Sequence, residues 1–91
     1  MNSKALCDIF RRASLLASRK NADYGDGNIV RFGESGVVIR MADKMARLEN
    51  LILNDKAQSV DEQIEDTCLD LINYAAYLIM LKEGTFVEDP K

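Results

Sequence analysis

Histidine is absent from this 91-residue chain. That removes the commonest general base and the usual zinc ligands. Any chemistry must therefore come from carboxylates, a hard metal ion, and lysine, arginine or tyrosine. A basic surplus is lacking too: 12 lysines and arginines face 15 aspartates and glutamates, for a net charge of −3. Binding a nucleic-acid polymer calls for a basic footprint, so a polymer partner is not expected. A single nucleotide remains open, because a few local cations can hold phosphates and Mg²⁺ can bridge to carboxylates. Long apolar runs are missing. The longest, "YAAYLIML", falls far short of the ~20 residues of a membrane span. The N-terminus has no apolar signal core, and a cytosolic setting, in a bacterium or a virus-infected cell, is expected. Only two cysteines occur, Cys7 and Cys68. Both fall on apolar helix faces and are expected as small core residues in a reducing compartment.

What the chain does have is apolar residues, 47% of the total. A chain this short buries only about 60–65% of its unfolded surface. The surplus points to burial against another copy. Helical spacing dominates. A first helix is expected from about Ser3 to Arg19, capped by Asn2 or Ser3, with Leu6, Ile9, Phe10, Ala13, Leu16 and Ala17 as its apolar stripe. A glycine-rich loop to about Gly33 follows, then a second helix over roughly Ser35 to Asn54. The second helix is apolar over most of its circumference, which predicts a central helix or an oligomer interface. Its polar residues, Arg40, Asp43, Lys44, Arg47, Asn50 and Asn54, share one seam. After a turn at 54–58, Ser59 and Glu62 form a capping box for a third helix that runs to about Lys82. Its expected core stripe is Ile64, Cys68, Leu71, Ile72, Ala75, Leu78 and Ile79, with Leu69, Ala76 and Met80 beside it as contacts to a mate. The expectation is thus an all-α, three-helix chain with a long glycine-rich loop after helix 1, one domain over 1–84 and a tail at 85–91. It should assemble into an oligomeric helical bundle, a dimer or an assembly built from dimers.

Opposite that stripe, Glu62, Asp66, Asp70, Asn73 and Tyr77 line one face of the third helix. Asp70 and Asn73 sit inside "LDLINYAAYLIML", where nearly every neighbour is apolar. A carboxylate taken out of water costs several kcal/mol unless paired or metal-bound, so something must compensate Asp70. One reading is an ion pair with Arg40, Lys44 or Arg47. The other is Mg²⁺ held by Asp66 and Asp70, one turn apart, with an acid from elsewhere in the chain. The loop "KNADYGDGN" has two readings as well. Gly25 and Gly27 permit positive φ and could aim N–H groups at an anion, with Lys20 and Arg31 flanking and Tyr24 or Phe32 stacking on a base. Asp/Asn turn chemistry alone makes it a plain connection.

The segments "KNADYGDGN", "RFGESGVVIRMADKMARLENL" and "EDTCLDLINYAAYLIML", in this order over most of residues 20–82, resemble the small helical nucleotide-modification-associated domain of bacteriophages. That family in turn is similar to the MazG-like all-α nucleotide pyrophosphohydrolases. In those enzymes a late helix carries two adjacent acids, two residues, then Asp. Asp66 and Asp70 match the first and last acids, while Thr67 stands where the second would be. The Glu-x-x-Glu cluster of an earlier helix has no counterpart around Asp43, Lys44 and Arg47. The resemblance implies a nucleotide or related phosphorylated ligand in an interhelical cleft and a multi-chain bundle. As a Mg²⁺-dependent pyrophosphohydrolase, the chain would use Asp66 and Asp70 for metal and Asp43 beside them. Lys20, Arg40, Lys44 and Arg47 would neutralise phosphate, with Asn73 and Tyr77 on the ligand. The rival expectations are a non-catalytic phage protein that sequesters a nucleotide immune signal, and a structural helix bundle whose polar seams pair with each other.

Overall fold

The computed structural model describes residues 1–54 and 61–88. Among them all regular structure is helical: α1 (Ser3–Tyr24), α2 (Gly27–Leu48) with a π-helical extension (Glu49–Leu53), and α3 (Asp61–Glu83). Asn2 caps α1, its side-chain oxygen accepting from the Ala5 N–H at 3.0 Å. At the other end of the chain Gly84, at φ 74°, closes α3. The Thr85 N–H donates to the Met80 carbonyl at 2.8 Å and the Gly84 N–H to the Leu81 carbonyl at 3.3 Å, the paired bonds of a Schellman stop. The capping serine Ser59 and most of the turn before it lie outside the described residues.

The connection between α1 and α2 differs from expectation. α1 does not stop at Arg19 but continues through Lys20 to Tyr24. Gly25 ends it at φ 71°, ψ −179°, its N–H donating to the Asn21 carbonyl at 2.7 Å. Helix resumes at Gly27, so the long loop is a two-residue break. A second irregularity sits inside α2 at Gly33, with φ 59° and ψ −151°. Both conformations are in a region essentially reserved for glycine. The run of glycines looks like loop, yet Gly27 keeps ordinary φ and only Gly25 and Gly33 turn the chain in this region. The expected helix start near Ser35 coincides with the kink at Gly33.

α3, not α2, is the central helix, packing against both others while α1 and α2 scarcely meet. It runs antiparallel to α2, as the pairs Lys44–Asp70 (3.0 Å) and Glu34–Lys82 (2.8 Å) show. It meets α1 where the Asn73 side-chain N–H₂ donates to the Ala13 carbonyl at 2.9 Å, and Arg12 reaches Glu65 at 3.0 Å. Small Ala13, fully buried, permits that close approach.

The rotation of α3 is the principal surprise. Its buried residues are Thr67, Leu69, Asp70 and Asn73. None of the expected stripe from Ile64 to Ile79 is fully buried, and Ile79 is 59% exposed. Leu69, expected on an oligomer face, packs inside the chain. Asp70 and Asn73 of the polar line can be buried because each finds a partner on a neighbouring helix. The Thr67 hydroxyl donates to the Gln63 carbonyl at 2.7 Å, and no buried side-chain polar atom among the described residues lacks a bond. Ala13, Val37 and Leu69 are the buried apolar residues among those described. Cys7, expected in the core, is exposed on α1, and Cys68 is half-buried.

The kink gives a direct test. Gly33→Ala should cost about 1–3 kcal/mol, because alanine cannot hold this backbone conformation without strain. Gly27→Ala, at a helical position where an added Cβ meets nothing within 4 Å, should be neutral or slightly stabilising. Urea unfolding midpoints of the two variants check the contrast.

Candidate functional site

The last turn of α1 extends past the expected helix end and so carries Lys20 over α3. α2 brings Lys44 from the other side. Between them Asp70 accepts from Lys20 through Oδ1 at 2.7 Å and from Lys44 through Oδ2 at 3.0 Å. The Asp70 side chain is 11% exposed, against 47% for Lys20 and 28% for Lys44. Burial pushes the Asp70 carboxyl upward. The hydrogen bonds from Lys20 and Lys44, and their charges, outweigh it and hold the carboxyl below its ordinary value. For Lys20, burial alone would lower the ammonium pKa. The bond to Asp70 and its charge reverse that and raise it. The ion-pair reading of Asp70 therefore describes the molecule, with Lys44 among the partners foreseen and Lys20 an addition.

One cleft opens beside this triad, with a volume of about 270 Å³. Four aromatic rings line it: Tyr24 from α1, Tyr74 and Tyr77 from α3, and Phe86 from the returning tail. Tyr77 meets Tyr74 edge-on at 6.1 Å and Phe86 edge-on at 5.3 Å. Burial, and then the neighbouring Tyr74, raise the Tyr77 phenol above its usual value, so it stays a neutral donor. Lys20, Arg40, Asp70 and Asn73 supply the polar part of the wall, and Gly25 lies at its edge. A second crevice, about 290 Å³, lies across Lys20 and Asp70 from the first. Arg19, Lys44 and Arg47 line it, together with Asp66. Asp43 lies in a third, more open groove with Arg40, Lys44 and Arg47.

Of the residues singled out from the sequence, Lys20, Tyr24, Gly25, Arg40, Asp70, Asn73 and Tyr77 meet at the aromatic cleft. Lys44, Arg47 and Asp66 gather in the cationic crevice. Arg31 belongs to neither. Its guanidinium lies over the Phe32 ring at 5.1 Å, and Phe32 is itself 54% exposed. Asp66 is exposed, and no cluster of three or more acidic or cysteine ligands exists among the described residues. Both oxygens of Asp70 bond lysines, and four cations share the crevice with Asp66.

The sequence reading missed Tyr74 and Phe86. Tyr74 had a signal: it stands four residues after Asp70 and three before Tyr77, on the same helical face. Phe86 follows the helix stop, where no periodicity predicts direction.

The helical cleft thus joins aromatic walls to a cationic flank, the concave and largely apolar kind of surface in which small-molecule sites are found. The sequence pattern of the family described as Nucleotide modification associated domain 1 matches residues 20–81. The chain belongs to that family. No match was found among curated proteins or among solved structures. The matched segment begins at Lys20 and ends after Met80, so it holds every element of the cleft except Phe86.

Asp70 makes stability depend on acid. Its folded pKa lies below the unfolded one, so its contribution is complete above the ordinary carboxylate value and lost as pH falls through the folded value. The wild-type profile should decline below about pH 4, and Asp70→Asn should flatten that limb. At neutral pH the same variant should cost about 1–3 kcal/mol. That is less than a fully buried pair, because Lys20 can turn to water. Urea melts from pH 2.5 to 8 measure both effects.

Proposed function

We propose that this protein binds a nucleotide or a related phosphorylated small molecule in the cleft between α1, α2 and α3. The observation that carries the reading is the junction of two unlike walls. Tyr24, Tyr74, Tyr77 and Phe86 offer faces and edges to a base. Lys20 forms part of both the aromatic cleft and the cationic crevice, so a ligand with its base among the rings can direct phosphate toward Lys20, Lys44 and Arg47. Arg40 adds a cation on the aromatic side. The family's description, which links it to nucleotide modification, supports the same ligand class.

Binding without hydrolysis is the favoured form. Pyrophosphohydrolysis needs a metal-activated water and charge screening at the phosphates. The carboxylate best placed for metal is committed to two lysines. A binder of this kind acts by removing its ligand from circulation, which suits sequestration of a nucleotide signal. The pyrophosphohydrolase reading requires the lysines to release Asp70 when substrate and Mg²⁺ arrive.

Incubation with a nucleotide panel and Mg²⁺, followed by chromatography before and after heat denaturation, separates these readings. An intact nucleotide recovered only after denaturation is the expected result. Pyrophosphate and monophosphate would instead establish hydrolysis, and no change in any ligand would leave a structural bundle. With the nucleotide so identified, Tyr24→Ala should weaken binding about 5- to 100-fold, the range of one lost base–aromatic stack. Tyr24 is 77% exposed, so its removal should leave thermal stability unchanged. Isothermal titration with parallel melts tests both.

A further inference from the structure

We infer that the outward apolar face of α3 and α2 is covered by a second copy of this chain. In a lone soluble domain the apolar stripe of the central helix faces the core. Here that stripe is only half-buried, and Ile79 within it is 59% exposed. Ile79 lies nine residues beyond Asp70, about half a turn round the helix axis, and points away from α1 and α2. Ile72 and Ala76 lie on the same outer side. α2 behaves alike: Val37 is buried, while Val38, Ile39 and Met45 are each about half exposed or more.

The area sets the scale of what is missing. The chain exposes 6958 Å², whereas a folded monomer of its mass should expose about 5300 Å². The surplus is about 1600 Å² per chain, twice the roughly 800 Å² that each partner buries in a standard interface. It matches the larger, more apolar interfaces of obligate homodimers. The radius of gyration, 14.6 Å, likewise exceeds the roughly 12 Å of a compact 91-residue domain. The occupant is a second copy because every chain carries the same uncovered face in equal amount. A two-fold pairing covers both at once. The pairing leaves the Asp70 side of α3 to the ligand cleft.

Light scattering coupled to size exclusion on the full chain at low micromolar concentration tests the inference. The expected mass is twice 10.2 kDa or a higher even multiple. A mass of 10.2 kDa with a cooperative thermal transition would overturn it, and the face would then be free for another partner. Ile79→Glu and Ile39→Glu change side chains that are 59% and 63% exposed within one chain. Each should halve the mass or lower it to that of one chain. An unchanged mass in both variants would also overturn the assignment. Should the variants unfold, the wild-type melting temperature still decides. It should rise with chain concentration, and constancy over a hundredfold range would refute the pairing.

Discussion

Asp70 sits between two ammonium groups, and the arrangement of the chain follows from it. A carboxylate on a side chain only 11% exposed would be costly without partners. Lys20 and Lys44 come from different helices, so the pairing fastens α1 and α2 to α3 at one point. It also fixes the rotation of α3. Once Asp70 faces the groove between its neighbours, residues three, four and seven further on face it as well: Asn73, Tyr74 and Tyr77. Asn73 then finds the Ala13 carbonyl, and the tyrosines form the cleft wall. Ile79 is turned outward by the same rotation, and Ile72 is left half-buried. The ligand cleft and the uncovered apolar face are two consequences of one orientation.

Local charge matters more here than the total. The chain carries −3 overall, yet two lysines surround one carboxylate at the wall between the two crevices. Arg19 and Arg47 add to one side and Arg40 to the other. Asp70 neutralises part of this field and holds the lysines in place while the site is empty. On the proposed reading, a phosphate would meet cations already ordered by Asp70, with less side-chain entropy left to lose.

Much of this was legible in the sequence, and the failures have identifiable causes. Three helices, their stop at Gly84 and the need to compensate Asp70 all followed from spacing and from the cost of a buried charge. Lys44 was foreseen as a partner. Lys20 was not, because the glycines after it drew the helix end back to Arg19. Tertiary contact extends α1 by one turn, and that turn brings Lys20 to Asp70. Of the two expectations for α2, central helix or oligomer interface, α3 takes the central place instead. An apolar circumference on α2 shows how much surface seeks cover, not which neighbour supplies it. For α3 the buried side combines Asp70 and Asn73 of the polar line with Thr67 and Leu69, a mixture that depended on hydrogen-bond partners supplied by α1 and α2 and that no single period records. Phe86 joins the cleft through chain reversal at Gly84, a tertiary event that no helical period records.

The chain has three tyrosines and no tryptophan, and Tyr24, Tyr74 and Tyr77 all line the one cleft. Intrinsic tyrosine emission therefore reports on the proposed site, with Tyr74 also bordering the open groove that holds Asp43. Titration with nucleotides of each base, corrected for their absorbance, should give saturable quenching with at least one of them. Inorganic triphosphate should give little, since it brings charge without a ring to stack. Emission that stays constant in saturating nucleotide of every base, while the protein remains folded, would contradict the assignment of this cleft to a nucleotide.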